Sequence, residues 1–247
     1  MSALVAHGLT CGWGRTRVVE GVDLVLEPGE VTLLAGPNGA GKTTTLLTLA
    51  GAIRPLSGTV SLAGRATRAS LDARARAGLA FVPEGRHVFA RLSVRDNLRL
   101  GRGPVERAIE LFPELEPLLG RIAGTLSGGE QQMLRLGRAL AGEPVVLLVD
   151  ELSLGLAPQI VKRLLARIRR AADSGTAVLI VEQHVSLGVG IADRACVIAG
   201  GGVALTLTGG EMSTRLPEIE AVYLSPAPND QRARPQPTIT NGYQLPT

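Results

Sequence analysis

A glycine-rich stretch between two apolar segments constrains the fold of this chain more than any other feature. It runs from Gly36 to Thr44 and fits the phosphate-binding pattern G-x-x-x-x-G-K-[ST]. Residues 31–35 before it are typical of a short buried strand, and residues 45–50 after it are typical of an apolar helix. Because the motif works between a strand and a helix, the sequence predicts a nucleoside triphosphate site here.

The residue types of this stretch suit the binding of phosphate oxygens. Its glycines let the backbone turn tightly and leave N–H groups open to an anion, and the following helix directs its positive end at the same point. Lys42 can reach the β- and γ-phosphates, and the Thr43 hydroxyl can bind Mg²⁺. The predicted phosphate-binding residues are Gly36, Pro37, Asn38, Gly39, Ala40, Gly41, Lys42, Thr43 and Thr44.

Two carboxylates follow residues 145–149, an apolar run typical of a strand buried on both faces. They belong to Asp150 and Glu151, and an unpaired charge in such a place is costly. A magnesium ion held by Asp150 would supply the partner. Glu151 would then lie where it can orient and deprotonate a water that faces the γ-phosphate.

Two further segments bring polar side chains to the same edge of a parallel sheet. Glu84 lies just beyond the strand predicted over residues 78–82, where ligands bind in such sheets, although a solvated loop residue is the ordinary alternative. The strand predicted over residues 177–181 leads to Glu182, Gln183 and His184. An isolated loop histidine is usually structural or solvated, but its arrival at this edge favours a functional role.

Between residues 92 and 142 helical patterns replace strand patterns, which predicts an α-helical subdomain inserted into the sheet domain. Near its end, Ser127 is a good N-cap, and Gly128 and Gly129 leave backbone N–H groups open to an anion. The same turn also makes an ordinary helix cap, so this feature alone leaves both interpretations open.

The two ends of the chain differ in character. Trp13 sits in a glycine-rich turn, where it could stack on a flat ligand or be an incidental aromatic. From residue 225 onward the chain has five prolines, polar residues and no periodicity. We therefore predict a domain over residues 1–224 and a disordered tail over residues 225–247.

The composition limits the binding partners and the cellular compartment that we expect for this chain. The 247 residues are 45% hydrophobic, enough for one α/β domain, and the net charge is +4. The arginines are dispersed and aromatics make up only 2%, so we expect a solvated surface and no nucleic-acid groove. Two cysteines, no signal-peptide pattern and no apolar run near 20 residues long predict a cytosolic chain that reaches a membrane only by docking.

The order of these motifs resembles the ATP-binding subunits of ABC transporters. The nucleotide loop comes first, then a helical insert ending in Leu-Ser-Gly-Gly-Glu-Gln (residues 126–131), then the apolar strand ending in Asp-Glu. Several runs, such as Ser-Leu-Gly-Leu-Ala-Pro at residues 153–158, are similar to the branched-chain amino acid uptake ATPases of LivF type. The resemblance covers about residues 4–224.

The resemblance implies a P-loop ABC-type nucleotide-binding domain with an N-terminal antiparallel β part. It implies that Trp13 stacks on adenine, that Asp150 and Glu151 are the magnesium-side and catalytic acids, and that Ser127, Gly128 and Gly129 grip the γ-phosphate of ATP bound to an opposite subunit. It also implies a second, paralogous ABC ATPase subunit, transmembrane permease subunits, an indirect link to a solute-binding protein, and a place on the inner face of the cell membrane.

Three departures from the family pattern stand out. Glu84 replaces the usual metal-contacting Gln, as in the LivF-type group, and Leu152 replaces the usual Pro after the Asp-Glu pair. The family's switch His aligns with Gln183, and His184 comes one place later, so either residue is a candidate for the γ-phosphate contact.

The sequence leaves two alternative functions open. The first is uptake of another solute, such as urea, short amides or other amino acids. The second is a soluble ABC-type switch, which is disfavoured by the single cassette. A GTP-specific switch is disfavoured because no Asn-Lys-x-Asp motif occurs.

Overall fold

A computed structural model describes residues 1–85, 88–182 and 185–224 of the chain. In these ranges the strands are β1 (Leu4–Trp13), β2 (Thr16–Leu26), β3 (Val31–Ala35), β4 (Ser57–Leu62), β5 (Arg65–Ala66), β6 (Leu79–Val82), β7 (Val146–Asp150), β8 (Ala177–Val181), β9 (Arg194–Ala199) and β10 (Gly202–Thr208). The α-helices are α1 (Lys42–Ala50), α2 (Leu71–Arg76), α3 (Val94–Arg99), α4 (Val105–Leu111), α5 (Gly128–Leu140), α6 (Pro158–Asp173), α7 (Val185–Val189), α8 (Glu211–Thr214) and α9 (Leu216–Leu224).

A six-stranded sheet with the order β10-β9-β3-β8-β7-β6 forms the centre of the molecule. Its strands pair in parallel except β10, which runs antiparallel to β9. The central strands are buried along their whole length because each face meets a different core. Leu33, Leu147 and Val178 join the core beneath α5 and α6, and alternate residues such as Leu34 and Leu148 join the core with α1.

A second, antiparallel sheet with the order β2-β1-β4-β5 lies over the α1 side. Apolar side chains of β1, such as Leu4 and Leu9, are fully buried in the same core as Leu46 and Leu49 of α1. Helix α1 is thereby enclosed between the two sheets. The predicted class, an α/β P-loop domain with an N-terminal antiparallel β part, is confirmed.

Residues 94–140 hold α3, α4, two 3₁₀-helices (Pro113–Leu118 and Ala123–Thr125) and α5. Phe112 and Leu115 are buried beside Gly137 of α5, and they belong to the same core as residues of the large sheet. Its helical character agrees with the expectation for residues 92–142. The domain bounds stay a prediction, and the proposed tail at 225–247 lies outside the described residues.

Some of the arginines are buried and support the fold from within. Arg74 of α2 is 2% exposed, and its guanidinium donates to the carbonyl oxygens of Thr48 (3.1 Å) and Leu49 (2.6 Å) in the last turn of α1. It adds a donor to the carbonyls of the last helical turn and places a positive charge at the C-terminal end of the helix. Among the described helices, none is long and apolar enough to cross a bilayer.

Candidate nucleotide-binding site

The predicted phosphate loop connects the end of β3 at Ala35 to the start of α1 at Lys42. Gly36 has φ +144° and a Cβ there would lie 2.1 Å from the Ile198 carbonyl oxygen. Gly41 has φ +101° and a Cβ there would lie 2.2 Å from Val19 Cγ2. Both positions require glycine, for backbone conformation and for space. The loop therefore has the strand–turn–helix setting that the motif needs.

Lys42 is folded over this loop and only 5% exposed. Its Nζ donates to the carbonyl oxygens of Gly36 (2.7 Å) and Pro37 (3.1 Å). Burial lowers the pKa of the ammonium, whereas the nearby charges of Glu151 and Asp150 act in the opposite direction. A buried cation thus lies between the loop backbone and the two acids at the end of β7.

Asp150, the last residue of β7, is 2% exposed, and no described residue gives either carboxylate oxygen a hydrogen bond of good geometry. Burial is the largest cause that raises its pKa to about 6, and the charges of Glu151 and Glu84 add to it. The neighbouring Thr43 hydroxyl and Lys42 favour the charged form. A buried carboxylate with so little compensation, beside a hydroxyl and further acids, is a donor set that fits Mg²⁺.

Replacing Asp150 with asparagine should stabilise the nucleotide-free protein at pH 7.5, by about 3 kcal/mol at most. Folding raises this pKa from 3.8 to about 6. The protonated form is therefore favoured by folding, so the contribution of Asp150 to stability is full below pH 4 and is lost as pH rises through 6. The gain in unfolding free energy of Asp150→Asn should therefore fall to about a third of this value at pH 4.5. Urea unfolding of both proteins at the two pH values measures this gain, and an equal gain at both would contradict the prediction.

Glu151 occupies an unusual backbone conformation directly after β7. Its φ is +43°, which is uncommon for a residue other than glycine. Its backbone N–H donates to the Val181 carbonyl oxygen of β8 at 3.0 Å. Such strain, about 1 kcal/mol or more, persists only where the surroundings impose it. The turn places the Glu151 carboxylate near Lys42 and Asp150, whose pKa values respond to its charge.

The segment that follows β6 approaches the same edge. Glu84 is exposed, yet its charge is close enough to raise the pKa of Asp150. Arg135 of α5, 3% exposed, donates to the carbonyl oxygens of Pro83 and Gly85 and so holds this segment against the helical part. The structure therefore brings Glu84 to the predicted edge together with the β7 acids.

Ser127 is the N-cap of α5, and its cap is complete within the chain. Its Oγ accepts from the Glu130 N–H at 3.3 Å, and the Glu130 carboxylate accepts from the Ser127 N–H at 2.7 Å. Gly128 and Gly129 form the first turn. The role of these three residues at a second subunit's nucleotide stays a prediction.

Trp13 ends β1 and is 49% exposed. Its indole is therefore accessible for stacking, which stays a prediction. Gln183 and His184 lie outside the described residues, so the choice between them as the γ-phosphate contact also stays open.

Two polar residues near the site, Gln132 and Arg135 on α5, were missed from the sequence, and Glu182, which follows β8 at the predicted edge, was given no role. All three are buried, at 9%, 3% and 1% exposure. For Glu182 a signal existed, because an acid that follows a wholly apolar strand is the same pattern that identified Asp150. For the α5 residues the apolar stripe of the helix gave no comparable indication.

The family model described as "ABC transporter" matches residues 19–153. The high-affinity branched-chain amino acid transport ATP-binding protein BraG of Pseudomonas aeruginosa is 38% identical over 222 residues, which cover 86% of this chain and 95% of BraG. The probable branched-chain amino acid transport ATP-binding protein LivF of Archaeoglobus fulgidus is 34% identical over 215 residues, which cover 83% and 91%.

A relative with a different printed role is the lipopolysaccharide export system ATP-binding protein LptB of Escherichia coli. It is 35% identical over 213 residues, which cover 81% of this chain and 88% of LptB. Among solved structures, a nucleotide-free ATP-binding cassette from an ABC transporter is similar with a TM-score of 0.81 and 23% identity, covering 90% of this chain and 99% of that one. This structural likeness concerns the fold alone.

Proposed function

Because this chain belongs to the ABC transporter family as an ATP-hydrolysing subunit, we propose that it powers the uptake of branched-chain amino acids through membrane-spanning partner subunits. The identity of the proposed solute rests on the similarity to BraG, which extends over 95% of that protein's length. LivF bears the same solute in its name, whereas LptB is named for lipopolysaccharide export. Another solute is therefore the alternative that a test must separate.

The geometry of the phosphate loop supports a division of labour in the hydrolysis step. Lys42 and the loop N–H groups bind the phosphates, and Asp150 and Thr43 would hold the magnesium ion. When bound, this ion neutralises charge on the phosphate oxygens. Glu151 orients the attacking water and takes its proton. Glu84 approaches the metal side of the site from the segment after β6.

The second subunit completes the site in this proposal. Ser127, Gly128 and Gly129 present the N-terminal end of α5, a 13-residue helix, to an anion. We place the γ-phosphate of ATP bound to a paralogous subunit at this helix end. Trp13 stacks on the adenine of the other ATP, whose phosphates this chain binds. The two subunits then close on two nucleotides, and the helical part passes the motion to permease subunits on the inner face of the membrane.

The experiment is affinity purification of the tagged chain from detergent-solubilised membranes of its own host. Recovery of two polytopic subunits and a second ATPase supports the importer, and binding of radiolabelled leucine or valine by the associated solute-binding protein supports the solute. Recovery of a binding protein that prefers urea or short amides, or of an export complex, would contradict branched-chain amino acids as the solute and indicate another one. Recovery of soluble partners alone contradicts the transport role.

A further inference from the structure

The turn that carries Glu151 is held from the side by a buried acid that the mechanism above does not use. Glu182 follows β8 directly and is 1% exposed. Its Oε2 accepts a hydrogen bond from the Ser153 hydroxyl at 2.5 Å. Burial raises the pKa of Glu182, whereas the Ser153 hydroxyl and the nearby backbone N–H groups of Ser153 and Leu152 favour its charged form. A buried hydrogen bond thus joins the end of β8 to the residue two positions after Glu151.

Leu152 and Ser153 come immediately after Glu151, whose φ of +43° needs support from its surroundings. The other side of the same turn is fixed as well, because the Leu152 carbonyl oxygen accepts from Gln132 Nε2 of α5 at 3.4 Å. The Glu151 N–H is bonded to Val181, the residue before Glu182. The conformation of Glu151 is therefore set by β8 on one side and by α5 on the other.

We propose that Glu182 is a positioning residue for Glu151, holding residues 152 and 153 so that the Glu151 carboxylate stays at the hydrolysis site. This inference rests on the proposed role of Glu151 as the base. Glu182 does not touch nucleotide in this proposal and acts only through its contact with Ser153 in the turn.

Glu182→Gln is the direct test, because it keeps the shape of the side chain and replaces one acceptor oxygen with an NH₂ donor. The Ser153 hydroxyl then loses its charged acceptor. We expect kcat to fall about 10- to 100-fold, as for other residues that orient a catalytic group. The affinity for ATP should stay within about twofold, because within the described ranges no hydrogen bond joins Glu182 to the phosphate loop. The assay uses the full chain in the membrane complex recovered through its tag.

Thr176→Val is the matched control. Thr176 directly precedes β8, is 8% exposed, and donates its hydroxyl to the Pro144 carbonyl oxygen at 2.9 Å. The substitution removes a buried hydrogen bond from the opposite end of the same strand, so we expect a lower unfolding temperature and an unchanged kcat. An equal loss of kcat in Thr176→Val and Glu182→Gln would overturn the proposal, since the effect would then follow general weakening of the strand.

Ser153→Ala gives a second route, because it removes the donor of the same hydrogen bond and leaves Glu182 in place. We expect a smaller loss of kcat, and the double variant with Glu182→Gln should lose less than the product of the single losses, since both act on one contact. Normal kcat in Glu182→Gln, while Glu151→Gln is inactive, would overturn this inference. Normal kcat in Glu151→Gln would instead overturn the proposed function.

Discussion

Glu151→Gln is expected to lower kcat by about 100- to 10,000-fold, the range that a general base contributes, while ATP binding persists. The glutamine keeps the size of the side chain and can still occupy the turn after β7, but it cannot accept a proton from water. Because ATP then stays unhydrolysed, the closed pair of subunits should accumulate. Phosphate release, equilibrium binding of ATP and size-exclusion chromatography with Mg²⁺ and ATP measure the three effects.

Glu143→Gln is a closely matched control. Glu143 is also a non-glycine residue with positive φ, +46°, and it lies before β7 rather than after it. Its carboxylate pairs with Arg107 on the surface at 2.9 Å. The same substitution in the same kind of backbone should therefore leave kcat unchanged. Loss of ATP binding in Glu151→Gln would contradict the assigned role, because Glu151 would then act in binding and not in the chemical step.

The large elements of this fold could be predicted from the sequence because their signals are local. The strand before Gly36 is apolar except for Thr32, the run before Asp150 is wholly apolar, and both strands are flanked on each side by another strand of the sheet. The spacing of the phosphate-loop motif identified Lys42, and its ammonium lies close enough to Asp150 at the end of β7 for the two charges to interact. The ABC family assignment, drawn from the order of the motifs, is confirmed by the comparisons.

The features of the site that the sequence did not reveal depend on contacts between segments that lie far apart in the chain. Ser153 and Glu182 are 29 positions apart, and Arg135 reaches carbonyl oxygens 50 and 52 positions away. Nothing near Arg135 in the sequence separates it from a solvated arginine, because its partners are backbone carbonyls and not acids. The φ of Glu151 is likewise imposed by β8 and α5, so a local pattern carries no trace of it.

Lys42→Ala is expected to weaken ATP binding about 100-fold or more, because it removes a buried cation from the point where the β- and γ-phosphates lie. The loop itself should keep its conformation, because the substitution leaves Gly36 and Gly41 in place. These glycines have positive φ and pack closely against Ile198 and Val19. Isothermal titration with ATP and Mg²⁺ measures the affinity, and thermal unfolding without nucleotide verifies that the variant is folded.

The chain supplies an internal control, because its only other lysine is Lys162. Lys162 is exposed on α6, a helix with no residue in the proposed phosphate site, so Lys162→Ala should bind ATP as the unaltered chain does. Normal ATP affinity in folded Lys42→Ala would place the phosphates away from this side chain.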